Sequence, residues 1–409
     1  MSKAIIVGGG AAGMAAAVFL AEEGHSVHVF EKNEKLGKKI YITGKGRCNF
    51  TNACTMEELF DNVIHGRKFL YSAFYGYNNF DVIDFFESLG VKTKTERGNR
   101  VFPLSDHASD ITLALEKRMK ALGVKVHLKS QVSEILAEDE RILGVRLENG
   151  AVIEGDAVLV ATGGLSYPST GSTGDGYRFA ASLGHKVTKL FPSLVPLIAK
   201  EPYISRMQGL SLKNVSLTLF KEKKKCWNAF GELLFTHCGI SGPLALTASS
   251  QAGEYLEKGV LEAEIDWKPA LTPQQLDERL LREFAGQENR QFKNVVPALL
   301  PAKAIPVFLE LGGISPEKKI HDITRQERKD FIKILKHFPF TITGLAGYNE
   351  AVVTKGGVSL KEIRPGTMES KIINGLYFIG EVLDADGLTG GFNLQIAWST
   401  AHAAAKSIQ

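Results

Sequence analysis

Ala4-Ile5-Ile6-Val7-Gly8-Gly9-Gly10-Ala11-Ala12-Gly13 leads into an apolar helical run and then into Val27-His28-Val29-Phe30-Glu31-Lys32. The order is strand, glycine turn, helix, second strand and acid, which is the dinucleotide-binding βαβ unit. Gly8 permits the tight turn, Gly10 lets backbone approach a pyrophosphate, and Gly13 lets the helix pack closely on the strand. The helix start at Ala11 and Ala12 supplies N–H groups for the phosphates. Glu31 then stands where an acid accepts ribose hydroxyls, about 20 residues after the turn. A glycine-rich turn in an unrelated α/β protein is the alternative. The coincidence of strand, helix and acid at the expected offsets argues against it.

The chain continues Glu31-Lys32-Asn33-Glu34-Lys35-Leu36-Gly37-Lys38-Lys39, and this stretch resembles the start of FAD-dependent two-dinucleotide-domain flavoproteins. Ile42-Thr43-Gly44-Lys45-Gly46-Arg47-Cys48-Asn49-Phe50-Thr51-Asn52 narrows the resemblance, together with Gly375-Leu376-Tyr377-Phe378-Ile379-Gly380-Glu381 and Gly390-Gly391-Phe392-Asn393. Over essentially its whole length the chain is similar to the bacterial NAD(FAD)-utilising dehydrogenases, the HI0933-like flavoproteins. Lys45 departs from the pattern, where a third glycine is expected. The resemblance implies an FAD cofactor touched by Lys32, Lys39, Thr43, Gly44, Gly46, Arg47, Cys48 and Asn49. It also implies NAD(P)H as a transient electron donor, with enone reduction and amine oxidation by O2 both proposed in the wider group.

With 409 residues the chain holds roughly two to three domains, each able to bury its own core. Hydrophobic residues make up 44% and charged residues 23%, which excludes a disordered or fibrous chain. The 49 basic and 45 acidic residues nearly balance, giving +4, so a nucleic-acid partner is not expected. Lys221-Glu222-Lys223-Lys224-Lys225 reads as a solvated hairpin turn. No apolar stretch approaches the ~20 residues that span a bilayer, and the first residues already form a core strand, so a cytoplasmic protein without membrane partners is expected. Oligomeric state is left open.

Cys48 and Cys54 are spaced C-x5-C, not the C-x4-C of flavin disulfide reductases. Residues six apart do not share a helix face, so no redox dithiol is expected and Cys48 is read as packing or hydrogen-bonding beside the flavin. Cys226 and Cys238 lack metal-type neighbours and read as core or surface thiols. No metal site is expected.

The N-terminal phosphate motif and the C-terminal Gly380-Glu381 and Gly391-Phe392-Asn393 motifs must meet on one FAD, so the FAD domain is split. The expected fold is an α/β Rossmann-type two-dinucleotide-binding flavoprotein domain, residues 1–188 and 346–409. The insertion is expected over 189–345, a β-barrel-like subdomain at 189–270 with a helical lobe at 271–337. It contains no second G-x-G-x-x-G, so a separate nicotinamide domain is absent. Within the FAD domain, Val124 to Leu128 reads as a strand, and Val132 is the candidate for backbone pairing with adenine. Leu143–Leu147 and Ala151–Glu154 form a hairpin around Asn149-Gly150. The buried strand from Ala157 ends in Ala161-Thr162-Gly163-Gly164, the second flavoprotein signature. Asp175, ahead of a helix expected from Tyr177 to Leu183, is read as a flavin or pyrophosphate contact or as an N-cap.

Gly356-Gly357, after the run ending at Lys355, either lies against the isoalloxazine or makes a turn. Glu381 is expected to accept a ribityl hydroxyl, and the helix after Gly391 to aim its positive end at the N1–C2=O edge of the flavin. The flavin does the hydride chemistry. Substrate-side candidates are His237, Arg47 and Lys355, with Asn49 and Tyr167. Arg47 suits a carboxylate, phosphate or flavin oxygen, or braces the Gly44–Gly46 loop. His237 is read either as facing the isoalloxazine from the Thr236-His237 loop, to donate a proton or bind substrate, or as a satisfied structural histidine. The sequence therefore points to an FAD-dependent oxidoreductase acting on a small organic substrate. A non-redox FAD-binding or RNA-modifying scaffold is the alternative.

Overall fold

The computed structural model describes residues 1–409, which divide into two compact units, Met1–Ser193 with Tyr348–Gln409, and Leu194–Gly347. The first unit is built on a five-stranded parallel sheet in the order Leu376–Phe378, Ala157–Val160, Lys3–Val7, Ser26–Phe30, Lys125–His127. Register is fixed by Ala4 opposite Ala157 on one side and Val27 on the other. All of Ala157–Val160 is buried, because helices cover a parallel sheet and its inner strands become continuous apolar runs.

The Ala11–Glu22 helix lies against the C-terminal helix Phe392–Ser407 and the Ser109–Ala121 helix. Its Ala-rich sequence is buried nearly all round from Ala12 to Leu20, so small side chains rather than an amphipathic stripe allow this close packing. An antiparallel three-stranded sheet, Val132–Glu138, Arg141–Leu147 and Val152–Glu154, contains the expected hairpin. The expected helix at Tyr177 starts earlier, at Asp175, and ends at Ser182.

The second unit is a closed six-stranded barrel in the order Leu197–Ala199, Gly239–Ser241, Lys224–Phe235, Ser211–Lys221, Leu261–Asp266, Phe338–Leu345. Two expected boundaries are corrected. Phe191–Ser193 pairs with Val353–Lys355 and so belongs to the first unit, moving the insertion from 189–345 to 194–347. The barrel does not end near residue 270. Its closing strand, Phe338–Leu345, comes after the helices, because Leu261–Asp266 needs a partner on its second edge. The helical lobe is thus itself inserted into the barrel. Its helices Pro273–Phe284 and Arg325–Lys336 start in capping boxes, Thr272 with Gln275 and Thr324 with Glu327. Leu217, Phe235, Ile265, Phe308 and Phe338 fill this unit's own core. No helix of the chain is long and apolar enough to cross a membrane.

Candidate active site

The glycine turn performs three separate tasks. Gly8 has φ +105°, and a Cβ there would lie 2.6 Å from the carbonyl oxygen of Ala161, so the first and second signatures touch at this residue. A Cβ on Gly13 would lie 2.0 Å from the carbonyl oxygen of Gly8, which is the close helix-to-turn packing expected. A Cβ on Gly10 would meet nothing within 4 Å. Gly10 is the N-cap of the Ala11–Glu22 helix, with no side-chain cap and no acid in the first turn. The first turn thus lacks a side-chain cap and the Gly10 position opens onto free space, the arrangement that binding of a pyrophosphate requires.

Glu31 is 8% exposed, at the end of the second strand. Its Oε2 accepts from the backbone N–H of Gly9 at 2.8 Å, and its Oε1 accepts from the N–H and side chain of Asn33 at 2.8 and 2.7 Å. Three donors hold the carboxylate against the glycine turn, where an adenosine ribose would meet it. The Ser130 and Lys129 N–H groups bond the carbonyls of Glu31 and Asn33. Val132, buried at the start of its strand, follows Ser130 by two residues.

Lys32 does not stand alone: its Nζ lies 2.7 Å from Asp175 Oδ2. Asp175 occupies the first helical position and Gly174 is the cap, so the N-cap reading of Asp175 is corrected. Lys39 Nζ is 2.7 Å from Glu381 Oε2, and Ser166 donates to Glu381 Oε1 at 2.7 Å. The backbone N–H of Thr354 also bonds Glu381 Oε1, at 2.9 Å. Thr354 accepts from the Leu165 and Ser166 N–H groups, tying the second signature to the Val353–Lys355 strand. Ser166 and Thr354 escaped the sequence reading. A hydroxyl residue directly after the apolar run Ala351 to Val353 is the available signal for Thr354.

Arg47 braces the protein. Its guanidinium pairs with Glu96 and Asp106, donates from Nε to Asp106 at 2.7 Å, and stacks 4.2 Å from the Phe102 ring centroid. Asn49 donates to the carbonyls of Thr51 and Val101 at 2.7 and 3.0 Å, and Thr43 to that of Ile40 at 2.7 Å. Gly44 and Gly46 both take positive φ in the same loop, as does Lys45 at +59° where the third glycine was expected. Gly163 comes within 4.0 Å of Glu381 through its would-be Cβ, and Gly164 packs on Thr354. Tyr167 bonds the carbonyl of Tyr348 through its N–H. Gly356-Gly357 packs on backbone of Lys189 and of Val382–Leu383, so chain packing accounts for both glycines. Lys355 ends its strand in the electrostatic field of His65 and Asp386.

Gly391, at φ +100°, caps the Phe392–Ser407 helix without a side-chain cap, and a Cβ there would lie 2.4 Å from the carbonyl oxygen of Thr51. The Gly44–Asn52 element and the C-terminal motif are therefore in direct contact. Asn393 exchanges hydrogen bonds with the Gly387 N–H and carbonyl at 2.9 and 2.7 Å. Phe392 is buried beneath the turn. Gly380 places its would-be Cβ 2.9 Å from that of Ala12, which joins the last strand to the first helix.

Several buried polar atoms in or between these motifs lack a partner: Asn52 Oδ1, Thr162 Oγ1 and both carboxyl oxygens of Asp386. Buried polar groups are nearly always paired. With the uncapped helix start at Gly10, they fit a site built around a polar cofactor such as FAD.

Burial pushes the Cys48 thiol up to about 12, and burial with the nearby charge of Glu58 pushes Cys54 up to about 11. Thiols held neutral at pH 7 are poor nucleophiles for disulfide exchange. Cys54→Ser is accordingly expected to leave anaerobic reductive titration unchanged at two electrons per flavin. Additional electrons taken up by the wild type and missing in the variant would reveal a dithiol.

His237 occupies the turn between the Lys224–Phe235 and Gly239–Ser241 strands and is exposed. An exposed ring contributes little to a core, so the satisfied-histidine reading does not hold. His237→Ala is expected to retain FAD and to shift unfolding free energy by no more than about 0.5 kcal/mol. A thermal melt checks this.

The elements so joined define a flavin-dependent oxidoreductase with an interrupted Rossmann-type FAD domain. The family model described as the HI0933-like protein Rossmann domain matches residues 2–407, and the chain belongs to that family. It is 36% identical over 411 residues to the ribosomal RNA dihydrouridine synthase of Haemophilus influenzae, covering 100% of this chain and 98% of that one. The ribosomal RNA dihydrouridine synthase of Escherichia coli is 32% identical, with 99% and 97% covered. The 3-dehydro-bile acid delta(4,6)-reductase of Clostridium scindens is 31% identical, with 100% and 99% covered. Among solved structures, 3-ketosteroid delta1-dehydrogenase from Sterolibacterium denitrificans superposes with a TM-score of 0.54 at 13% identity, over 99% of this chain and 98% of that one. That likeness is one of fold.

Proposed function

We propose that this enzyme reduces a carbon–carbon double bond conjugated to a carbonyl, with electrons from NAD(P)H passing through FAD, and that the substrate is uridine in ribosomal RNA. Full-length similarity to three relatives named for such reductions carries the reading. Dihydrouridine is uridine with two hydrogens added across its C5=C6 bond, which is conjugated to the C4 carbonyl. The bile-acid relative is named for the same chemistry on a steroid, and a small unsaturated ketone is the second reading.

The near balance of charge weighs less than these relatives, because net charge averages the surface. Dihydrouridine formation is a reduction, so an RNA substrate requires no non-redox role for FAD. When bound, FAD supplies the hydride. The chain's own parts bind and orient it. The helix start at Gly10 would hold the pyrophosphate and Glu31 the ribose, and the helix start at Gly391 would favour negative charge at the flavin edge.

Anaerobic mixing of NAD(P)H-reduced protein with unmodified ribosomal RNA tests the reading. Flavin reoxidation is expected, with dihydrouridine appearing in the digested RNA by mass spectrometry. Reoxidation by a 4,6-dien-3-one steroid, and not by RNA, would favour the small-molecule reading. No reoxidation by either would remove both.

A further inference from the structure

A cavity of about 400 Å³ opens on the first unit, away from the glycine turns. It lies where the helices Ala11–Glu22, Asn79–Ser88 and Phe392–Ser407 end, and Glu22, Ser88 and Lys406 of their last turns line it. Gly10 and Gly391 stand at the opposite ends of the first and third of these helices. The 12 residues of the first helix put about 18 Å between its two ends, so the cavity is no part of the FAD site. The carbonyl end of a helix carries partial negative charge. Three such ends meet here.

The side chains add to that charge. Glu22, Glu23, Asp81 and Asp84 line the cavity, with Lys406 as the one lining cation, because burial, helped by Lys406, lowers the His402 imidazole and leaves it neutral at neutral pH. Glu22 pairs with Arg118 at 2.7 Å and Glu23 pairs with Lys406. The Asp81 carboxylate accepts the Asn78 N–H at 2.6 Å but, like Asp84 one turn further along the same helix face, it has no cation. The rest of the wall is aromatic. Phe19 has its ring 5.2, 5.1 and 5.2 Å from those of Tyr77, Phe85 and His402, and Tyr77 stacks on His402 at 4.3 Å. No three His, Cys, Asp or Glu side chains stand close enough to share a metal ion, so these carboxylates are too widely spread for a compact cation.

Tyr77 is an independent sign of a ligand. It lines the cavity and is 9% exposed, and its hydroxyl has no hydrogen-bond partner. Burial and the charges of Asp81, Glu22 and Asp84 push the phenol up, so the hydroxyl end of the ring is the end directed toward the lining acids. A buried hydroxyl without a partner destabilises the fold, and phenylalanine would fill the same space without that cost. We propose that this cavity binds a small aliphatic polyamine, whose ammonium groups lie at Asp81 and Asp84 and donate to the Tyr77 hydroxyl while its methylenes cover Phe19 and Phe85. Separated ammonium groups match the helix ends, the two carboxylates without a cation and the unused acceptor of Tyr77. The methylenes match the rings, as the stem of a lysine side chain does on an apolar surface. The assignment is independent of the reductase reading.

Calorimetric titration of putrescine and of spermidine into the FAD-loaded full chain at low ionic strength tests this. Saturable binding at a single site is expected, with affinity lower by about tenfold or more in Asp84→Asn and in Tyr77→Phe. Asp84 is exposed and the Tyr77 hydroxyl bonds nothing, so both variants are expected to fold, and retained flavin absorbance checks it. Undiminished affinity in either variant overturns the assignment, as does the absence of saturable binding to the wild type. Magnesium chloride and butanediol are the controls. Displacement of putrescine by magnesium at equal concentration would mean a diffuse counter-ion atmosphere and overturns the site. Butanediol binding as tightly as putrescine overturns the role of the acids. Putrescine is also expected to raise the melting temperature of the wild type and not that of Asp84→Asn. A rise of equal size in both proteins overturns the assignment.

Discussion

Gly10→Val is expected to give a folded protein that retains no FAD. The backbone there has φ −83°, which valine adopts without strain, and the added side chain meets no protein atom within 4 Å of its Cβ. The isopropyl group instead fills the space in front of the free N–H groups of the Ala11–Glu22 helix, where the pyrophosphate belongs. Gly13→Val is the contrasting case: its Cβ would stand 2.0 Å from the Gly8 carbonyl oxygen, so the helix cannot keep its seat on the strand. That variant is expected to lose several kcal/mol of stability, in the range of severe core changes. Wild type should release FAD and not FMN on denaturation, because the glycines and Glu31 serve the adenosine half. Absorbance at the flavin band and a melt of each variant separate the two roles. Flavin retained by Gly10→Val would place the cofactor elsewhere.

The second large effect is a fall in stability with rising pH, traced to Asp386. Its carboxyl is pushed up to about 7 in the folded chain, chiefly by burial, whereas the unfolded residue ionises near 4. Between those values the folded state holds a proton the unfolded state has released, so stability declines as pH rises through the interval. The full contribution is present below about pH 4 and is gone above about pH 7, with a size of about 4 kcal/mol as an upper bound. Denaturant unfolding of the FAD-free chain at pH 5 and pH 8 measures it, with Asp386→Asn as the reference that removes the titration. The wild type should lose more stability between the two pH values than the variant does. Equal losses would mean that Asp386 is solvated or paired in solution.

The cofactor frame was legible because its signals are local. Gly8, Gly10, Gly13 and Glu31 sit within one strand–helix–strand unit, and their spacing is dictated by backbone sterics and phosphate geometry. The pairing of Gly391 with Thr51, and the closure of the barrel by Phe338–Leu345, depend on contacts across long stretches of chain that no periodicity encodes. Arg47 shows the same limit from the other side. A forked cation beside glycines suggests an anionic ligand, and only the fold reveals that Glu96 and Asp106 occupy it. Asp386 is one of two acids in the short run Val382 to Gly387, and that its carboxyl is buried without a hydrogen-bond partner appears only in the fold.

The interruption of the FAD domain also sets the order in which a ribosome can complete this molecule. Leu194–Gly347 is continuous in sequence and carries its own core, so it has everything needed to fold while synthesis is still under way. The nucleotide-binding half does not. Its outermost strand, Leu376–Phe378, and the Phe392–Ser407 helix that packs on Ala11–Glu22 are among the last segments to emerge. Until then the Ala157–Val160 strand has an open edge and the first helix an uncovered apolar flank. A cofactor held by both Gly10 and Gly391 would be clasped only after the Phe392–Ser407 helix is made, so the earliest-made part of the nucleotide-binding half waits for these later pieces.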